Sequence, residues 1–253
     1  MLNEEMRERI VVVLVRARNP SNIGAVARAM HDFGFLHLRL VNEYTVPFET
    51  ARSAVDAGAV LEAATEFDSV AAAAADCSLV IGTTAVGERA LEHPLYGLTE
   101  AARVVKGHVL RAEGSGRVAV LFGSEKTGLS NEELSHCNWL LTIPMQEQDD
   151  LRHPSMNLGQ AVAVCLWEMV REMGTFSAIG TPAPAEAAEV ERLTLLLTEV
   201  LEQTGYKRRH PANCDEAQIR RLVVRLGISA ADAPVWMGVL RQILWHESKA
   251  STE

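Results

Sequence analysis

The chain has 253 residues, 48% of them hydrophobic and 23% charged, and a formal net charge of −9. That balance is long enough for one large domain and a smaller one, and it excludes a surface coated in positive potential, so any nucleic-acid contact must come from local patches. No stretch approaches the apolar length of a membrane span, "MLNEEMRERIVVVLV" lacks a signal-peptide pattern, and the scattered Cys77, Cys137, Cys165 and Cys214 read as reduced thiols of a cytoplasmic protein.

In chain order, "RIVVVLV" (9–15) is a continuous β-branched run, the pattern of a strand buried on both faces. The loop "RARNPSN" follows, then a helix from about Ile23 to Phe33 that Gly34 ends. Further strands are expected at "HLRLVN" (37–42), "SLVIGTT" (78–84), "RVAVLFG" (117–123) and "WLLTIP" (139–144). Alanine-rich helical segments lie between them, around 50–63, 68–76 and 99–112. This alternation predicts an α/β unit with a mostly parallel sheet. One long amphipathic helix over "SMNLGQAVAVCLWEMVREM" (155–173) closes the unit. The stretch "GTFSAIGTPAPAEAA" (174–188) reads as a linker, and 189–204, 215–226 and 232–247 as the helices of a small all-α extension. The division expected is therefore 1–173, 174–188 and 189–253.

In open parallel sheets, ligands bind beyond the carboxyl ends of the strands. "RNPSN", "GTTAVGER", "GSEKTG" and "IPMQ" all fall there. Within "LFGSEKTGLS" (121–130), Gly123 and Gly128 have P-loop spacing and Ser130 stands where a magnesium-binding hydroxyl belongs, but Leu129 replaces the phosphate-binding lysine. No G-x-G-x-x-G follows the first strand, no zinc pattern is present, and Ser124 is not in a nucleophile elbow.

Three motifs in fixed order, "NIGAVARAM" (22–30), "LFGSEKTGLS" (121–130) and "IPM…SMNLGQAVAV" (143–164), resemble the signatures of the SpoU branch of the SPOUT RNA 2′-O-methyltransferases. The C-terminal "LEQTGYKRRHP" (201–211) and "VLRQILW" (239–245) are similar to the TrmJ tRNA subfamily. The resemblance implies a SPOUT α/β domain with a trefoil knot, S-adenosylmethionine as cofactor, a homodimer, and tRNA as substrate. It further implies transfer to the ribose 2′-hydroxyl of nucleotide 32 in the anticodon loop, with rRNA or another tRNA position as the alternative. No metal and no membrane enter this reading.

Carried over position by position, the resemblance assigns cofactor contacts to Thr83, Thr84, Ala85, Gly123, Ile143, Met145, Ser155, Met156 and Leu158. It implies that Arg28 acts on the ribose hydroxyl across a dimer interface, with Asn22, Glu125, Ser155 and Asn157 as its polar surround. On a helical wheel Ile23, Val26, Met30 and Phe33 share one face and Arg28 falls opposite, beside Gly24 and His31. A guanidinium stays protonated in proteins, so a role in binding phosphate and stabilising the alkoxide suits Arg28 better than a base role. Asn22 and Ser155 also fit as helix N-caps. The chain reads Thr-Thr-Ala-Val where the subfamily usually has Thr-Ser-Ala-Arg; Arg89 is the nearest replacement for that arginine. The longer loop "QEQDDLRHP" (146–154) brings Arg152 and His153 as further RNA-contact candidates.

From Gly205 to Arg225 stand Lys207, Arg208, Arg209, Arg220, Arg221 and Arg225 against Asp215 and Glu216, a local sum of 6 − 2 = +4. With Tyr206 as a stacking platform, this is the RNA-binding patch expected in the extension, the alternative being an ordinary solvated face. Two readings from other classes stay open at this point: a nucleotide-binding phosphotransferase using the imperfect loop, and an RNA-binding protein without catalysis.

Overall fold

The computed structural model describes residues 2–42, 57–85, 92–111, 116–145, 156–171 and 182–250. A one-turn helix, α1 (Glu4–Arg7), precedes β1 (Ile10–Val15) and α2 (Pro20–Phe33). There follow β2 (His37–Val41), α3 (Gly58–Glu62), β3 (Thr65–Phe67), α4 (Val70–Ala73) and β4 (Cys77–Thr83). The α/β part ends with β5 (Leu95–Gly97), α5 (Leu98–Arg111), β6 (Arg117–Phe122), α6 (Asn131–Ser135), β7 (Trp139–Thr142) and α7 (Leu158–Val170). Beyond it lie α8 (Ala187–Gln203), α9 (Tyr206–Arg209), a 3-10 turn (Pro211–Asn213), α10 (Glu216–Arg225) and α11 (Ala233–Ala250).

All strand pairs are parallel, in the order β3-β2-β1-β6-β4-β7-β5. β1 is buried along its whole length, and its pleat sorts the side chains between two cores. Ile10, Val12 and Leu14 join the core under α2, α5 and α7, while Val11, Val13 and Val15 join the one under α4 and α6. Burying each such side chain contributes about 1.5–3 kcal/mol. β6 lies between β1 and β4, so the loops after β1, β4, β6 and β7 all open on one edge, as the sequence predicts.

Among the described residues seven strands form where five are expected. The additional β3 and β5 have three residues each, too few to show a period, and both sit at the margins of the sheet. Of the segment 50–63, residues 50–56 lie outside the described residues and only Gly58–Glu62 is helical. The helix expected over 68–76 is one turn, Val70–Ala73, because the chain must extend into β4 at Cys77. α2 begins at Pro20 and not at Ile23: Asn19 is its N-cap, accepting from the Ser21 N–H at 2.9 Å. Asn22 is thereby relieved of the capping role. Gly34 ends the helix in the left-handed conformation (φ 74°), as expected. Gly24 does not lie on the polar face with Arg28; it is buried. α2 and α7 pack closely, and a Cβ on Gly159 would come within 2.7 Å of Ala25 Cβ.

The C-terminal helices gather a small core of their own around Leu193, Val200, Ile219, Val223 and Met237. They also dock on the α/β part. Ala188 N–H donates to Ala75 O at 3.0 Å, and residues 183–185 pair with 228–230 through Ala185 N to Ile228 O and Ala230 N to Ala183 O. The main lock is Arg220, which donates to Ser135 Oγ (3.0 Å), Glu191 (3.1 Å), Glu216 (2.6 Å) and Glu132 (3.4 Å). Arg221 pairs with Glu92 at 2.5 Å. These two arginines are 4% and 8% exposed, which corrects the expected basic patch: they hold the extension against α6 and the segment before β5 and do not face solvent. All four cysteines are buried and unpaired. Among the described residues no helix is long and apolar enough to cross a membrane.

Candidate active site at the carboxyl edge of the sheet

The edge is assembled from the ends of β1, β4, β6 and β7. Thr83 Oγ1 donates to Leu121 O at 2.9 Å and Thr84 N–H to Leu141 O at 3.0 Å, so the end of β4 is laced to both neighbours. Beyond it, Thr84 Oγ1 donates to Ala85 O (3.1 Å), and Ala85 is exposed.

The loop after β6 folds back on itself. Gly128 N–H donates to Ser124 O at 2.8 Å, and Gly128 adopts φ 66°. A Cβ on Gly123 would lie 2.2 Å from both Gly128 C and Leu129 N, so only glycine fits there. The glycine is required by the loop's own backbone, and a bulky replacement would break the loop itself. Leu129 is buried in the second core at 2% exposure. Ser130 caps α6 in a capping box with Glu133. The position of a P-loop lysine therefore points into the core, and the serine hydroxyl accepts the Glu133 N–H, which removes the structural basis for a phosphotransferase.

Three of the expected catalytic residues meet in one chain of hydrogen bonds. Asn22 Nδ2 donates to Glu125 Oε1 at 2.9 Å, and Asn157 Nδ2 donates to Asn22 Oδ1 at 3.1 Å. Asn157 Oδ1 accepts from Gly159 N–H (3.0 Å) and so caps α7. The first, second and third motifs are joined at this one place. Burial pushes the Glu125 carboxyl up, but the hydrogen bonds from Asn22 and nearby backbone N–H groups outweigh it and hold the group below its usual range. Glu125 is thus a carboxylate whose oxygens orient Asn22 and, through Asn22, Asn157.

Arg28 is not part of this chain. It is exposed on α2, six residues past Asn22, about 9 Å along the axis at 1.5 Å per residue. Among the described residues its side chain makes no hydrogen bond or ion pair. Leu158 is buried, Ile143 packs against the first core, and Met145 and Met156 are half-buried. Ser155, Arg89 and Arg152 lie outside the described residues, as does the 146–154 loop.

In the extension, Tyr206 packs against His210 with ring centroids 4.6 Å apart and the planes tilted by 38°. Lys207 lies 3.6 Å from Glu202, and Arg209 donates to Thr204 O (3.1 Å) at the end of α8. Arg208 is exposed and has no carboxylate partner among the described residues.

Sequence reasoning missed several residues at the site. Arg16 binds Glu133 and Gly128 O, and Arg18 N–H lies 3.5 Å from Glu125 Oε2. Arg18 and Lys126 are exposed on the first and second motif loops. Ser130-x-x-Glu133 carried a legible signal as a capping box; no local pattern announces the partner of Arg16, 117 residues away.

Comparison with known proteins agrees with this geometry. Residues 9–167 match the model of the SpoU rRNA Methylase family. The tRNA (cytidine/uridine/adenosine-2′-O-)-methyltransferase TrmJ of Pseudomonas aeruginosa (strain UCBPP-PA14) is 34% identical, over 97% of this chain and 96% of that protein. The tRNA (cytidine/uridine-2′-O-)-methyltransferase TrmJ of Yersinia enterocolitica is 33% identical, over 94% of this chain and 92% of its own length. The crystal structure of TrmJ from Z. mobilis ZM4 superposes with a TM-score of 0.77 at 29% identity, covering 92% of this chain and 98% of that one. With all three motifs meeting at one sheet edge and relatives matched along nearly their whole length, the chain belongs to the SpoU methylase family, on its TrmJ branch.

Proposed function

We propose that this protein is an S-adenosylmethionine-dependent tRNA ribose 2′-O-methyltransferase that modifies nucleotide 32 of the anticodon loop. The observation that carries the reading is the Glu125–Asn22–Asn157 chain, which joins three motifs in a site with no phosphate-binding lysine. The named activities of the TrmJ relatives support it.

The residues present fit the cofactor. Ile143 and Leu158 supply apolar surface, Thr84, Ala85 and the Gly123 loop supply backbone groups, and no charge clamp is needed for a neutral adenosyl moiety. When bound, S-adenosylmethionine would supply an electrophilic methyl group to the ribose 2′-oxygen, the sulfonium leaving as a neutral thioether and the hydroxyl proton passing to solvent. The chain's task is to orient the ribose hydroxyl and stabilise its developing charge. Asn22 and Asn157, fixed by Glu125, form the polar wall against which the ribose is placed. Arg28 binds the adjacent phosphate and stabilises the alkoxide. Since Arg28 stands apart from its own chain's triad, the complete site draws it from the partner of a homodimer, and sedimentation at micromolar concentration should give a dimer.

In the same reading the α/β part is a knotted SPOUT domain, and the helices from Ala187 onward, with residues 183–185 paired to them, form a tRNA-binding extension of a cytoplasmic enzyme. Tyr206, Lys207, Arg208 and Arg209, with Arg89 and Arg152, contact tRNA. Nucleoside mass spectrometry of tRNA incubated with enzyme and S-adenosylmethionine tests the proposal. A 2′-O-methylated nucleoside mapping to position 32 is expected; methylation confined to rRNA, or none, would overturn it.

A further inference from the structure

Arg16 stands where β1 runs into the first motif loop, and its backbone is unusual. Its φ is 54°, the one positive value at a non-glycine among the described residues. That left-handed conformation is disfavoured for a residue with a side chain and persists where the surroundings impose it. Here its N–H is fixed on Val41 O at 2.8 Å. The side chain is as tightly committed. Nε meets Glu133 Oε1 at 2.6 Å and Nη2 meets Oε2 at 2.9 Å, a two-point pair, and Nη2 also donates to Gly128 O at 3.1 Å. Nη1 reaches Thr127 Oγ1 at 3.5 Å.

Glu133 is itself immobilised, its Oε2 accepting the Ser130 N–H at 2.6 Å. One guanidinium therefore ties the end of β1 to α6 and to the returning limb of the loop after β6. On one side of this tie stands the turn bearing Arg18 and Asn22; on the other stands Glu125. The internal Gly128–Ser124 hydrogen bond sets the loop's shape, the Asn22 and Arg18 contacts to Glu125 hold its outgoing limb, and the Arg16–Glu133 pair holds its returning limb against β1.

We propose that Arg16 and Glu133 are positioning residues for the cofactor loop: their pair sets the loop after β6 against the first motif, and so sets Glu125 against Asn22. Neither touches a reacting atom. This inference rests on the proposed reading of that loop as part of the S-adenosylmethionine site.

The test uses the full chain and calorimetric titration with S-adenosylmethionine. Arg16→Asn removes the guanidinium while keeping a residue that tolerates the left-handed backbone. Glu133→Gln removes the charge while keeping a capping-box acceptor. Each should weaken cofactor binding about tenfold, on the scale of one lost charge-assisted hydrogen-bonded contact. The double variant should bind no more weakly than the worse single one, because both act through one contact. Arg16→Lys should recover part of the affinity, and kcat should fall while KM for tRNA stays unchanged. Lowered melting temperatures with unchanged cofactor affinity, or additive losses in the double variant, would overturn the proposal and leave a purely structural ion pair. Should Arg16→Asn fail to fold, Glu133→Gln alone decides the matter. Wild-type protein that does not bind S-adenosylmethionine sinks the underlying site reading, whereas normal wild-type binding with unaffected variants sinks the clamp only.

Discussion

On the α/β part, the side chains of Arg18 and Lys126 on the motif loops and of Arg28 on α2 are exposed and have no carboxylate partner among the described residues. In the helical extension, by contrast, Arg220 and Arg221, which supply a third of the six cations in its basic run, are buried and bound to four glutamates. In sequence only the extension reads as a basic patch. The difference teaches that a run of positive charge measures the potential offered to RNA only after the protein's own carboxylates have been subtracted. In an acidic chain that subtraction is large, and it falls on the extension more than on the motif loops.

The sharpest way to break this comparison is Arg28→Ala. Losing a group that stabilises developing charge should lower single-turnover methylation about 10²–10³-fold, while S-adenosylmethionine affinity in calorimetry stays at the wild-type level. An equal loss in cofactor affinity would mean that Arg28 serves the pocket and not the ribose.

Arg220→Ala probes the opposite pole. It leaves Glu132 and Glu216, 66% and 65% exposed, without their partner, and it also strands the less exposed Glu191 (23%) and the buried Ser135 hydroxyl, so lost hydrogen bonds and partly buried polar groups both contribute. Urea unfolding should show a loss of about 1–3 kcal/mol. If stability holds and tRNA affinity drops instead, Arg220 belongs to the RNA surface after all.

A smaller effect is expected from replacing Lys207, Arg208 and Arg209 together with alanine. Arg208 has no carboxylate partner among the described residues, while Lys207 and Arg209 are partly engaged with Glu202 and Thr204 O. The slope of log K against log salt for tRNA binding should flatten by about 1–2, with cofactor affinity unchanged. An unaltered slope would return this cluster to a solvated face.

The smallest change concerns an ion pair away from the site. Hydrogen bonding to Arg39, outweighing burial, holds the Asp76 carboxyl at about 2, below its ordinary 3.8. A depressed carboxylate stabilises the fold above its unfolded value and loses that contribution as pH falls through the folded one. Asp76→Asn should therefore flatten the dependence of the urea midpoint on pH between 3.8 and about 2 and lower stability modestly above that window.

The sequence by itself determined the architecture of the α/β unit and the sheet edge at which its motif loops meet. The β-branched run 9–15 reads as a strand covered on both faces, and polar or glycine-bearing loops follow four of the five expected strands at one edge. These are local signals, carried by periodicity and by the three family motifs. Gly34 as a helix terminator was equally legible, since a left-handed C-cap is a property of one residue.

Tertiary structure alone decided which polar groups find each other. Asn19 and not Asn22 caps α2, and that choice frees Asn22 to span Glu125 and Asn157, its partners 103 and 135 residues away. It turned Leu129 into the core, made Gly123 a necessity of backbone contact, and withdrew Arg220 and Arg221 from solvent. The physical reason is common to all of these. A side chain's periodicity is set within a few residues, whereas its hydrogen-bond and ion-pair partners are set by strand order, and β6 lies between β1 and β4 for reasons no short stretch of this chain reveals.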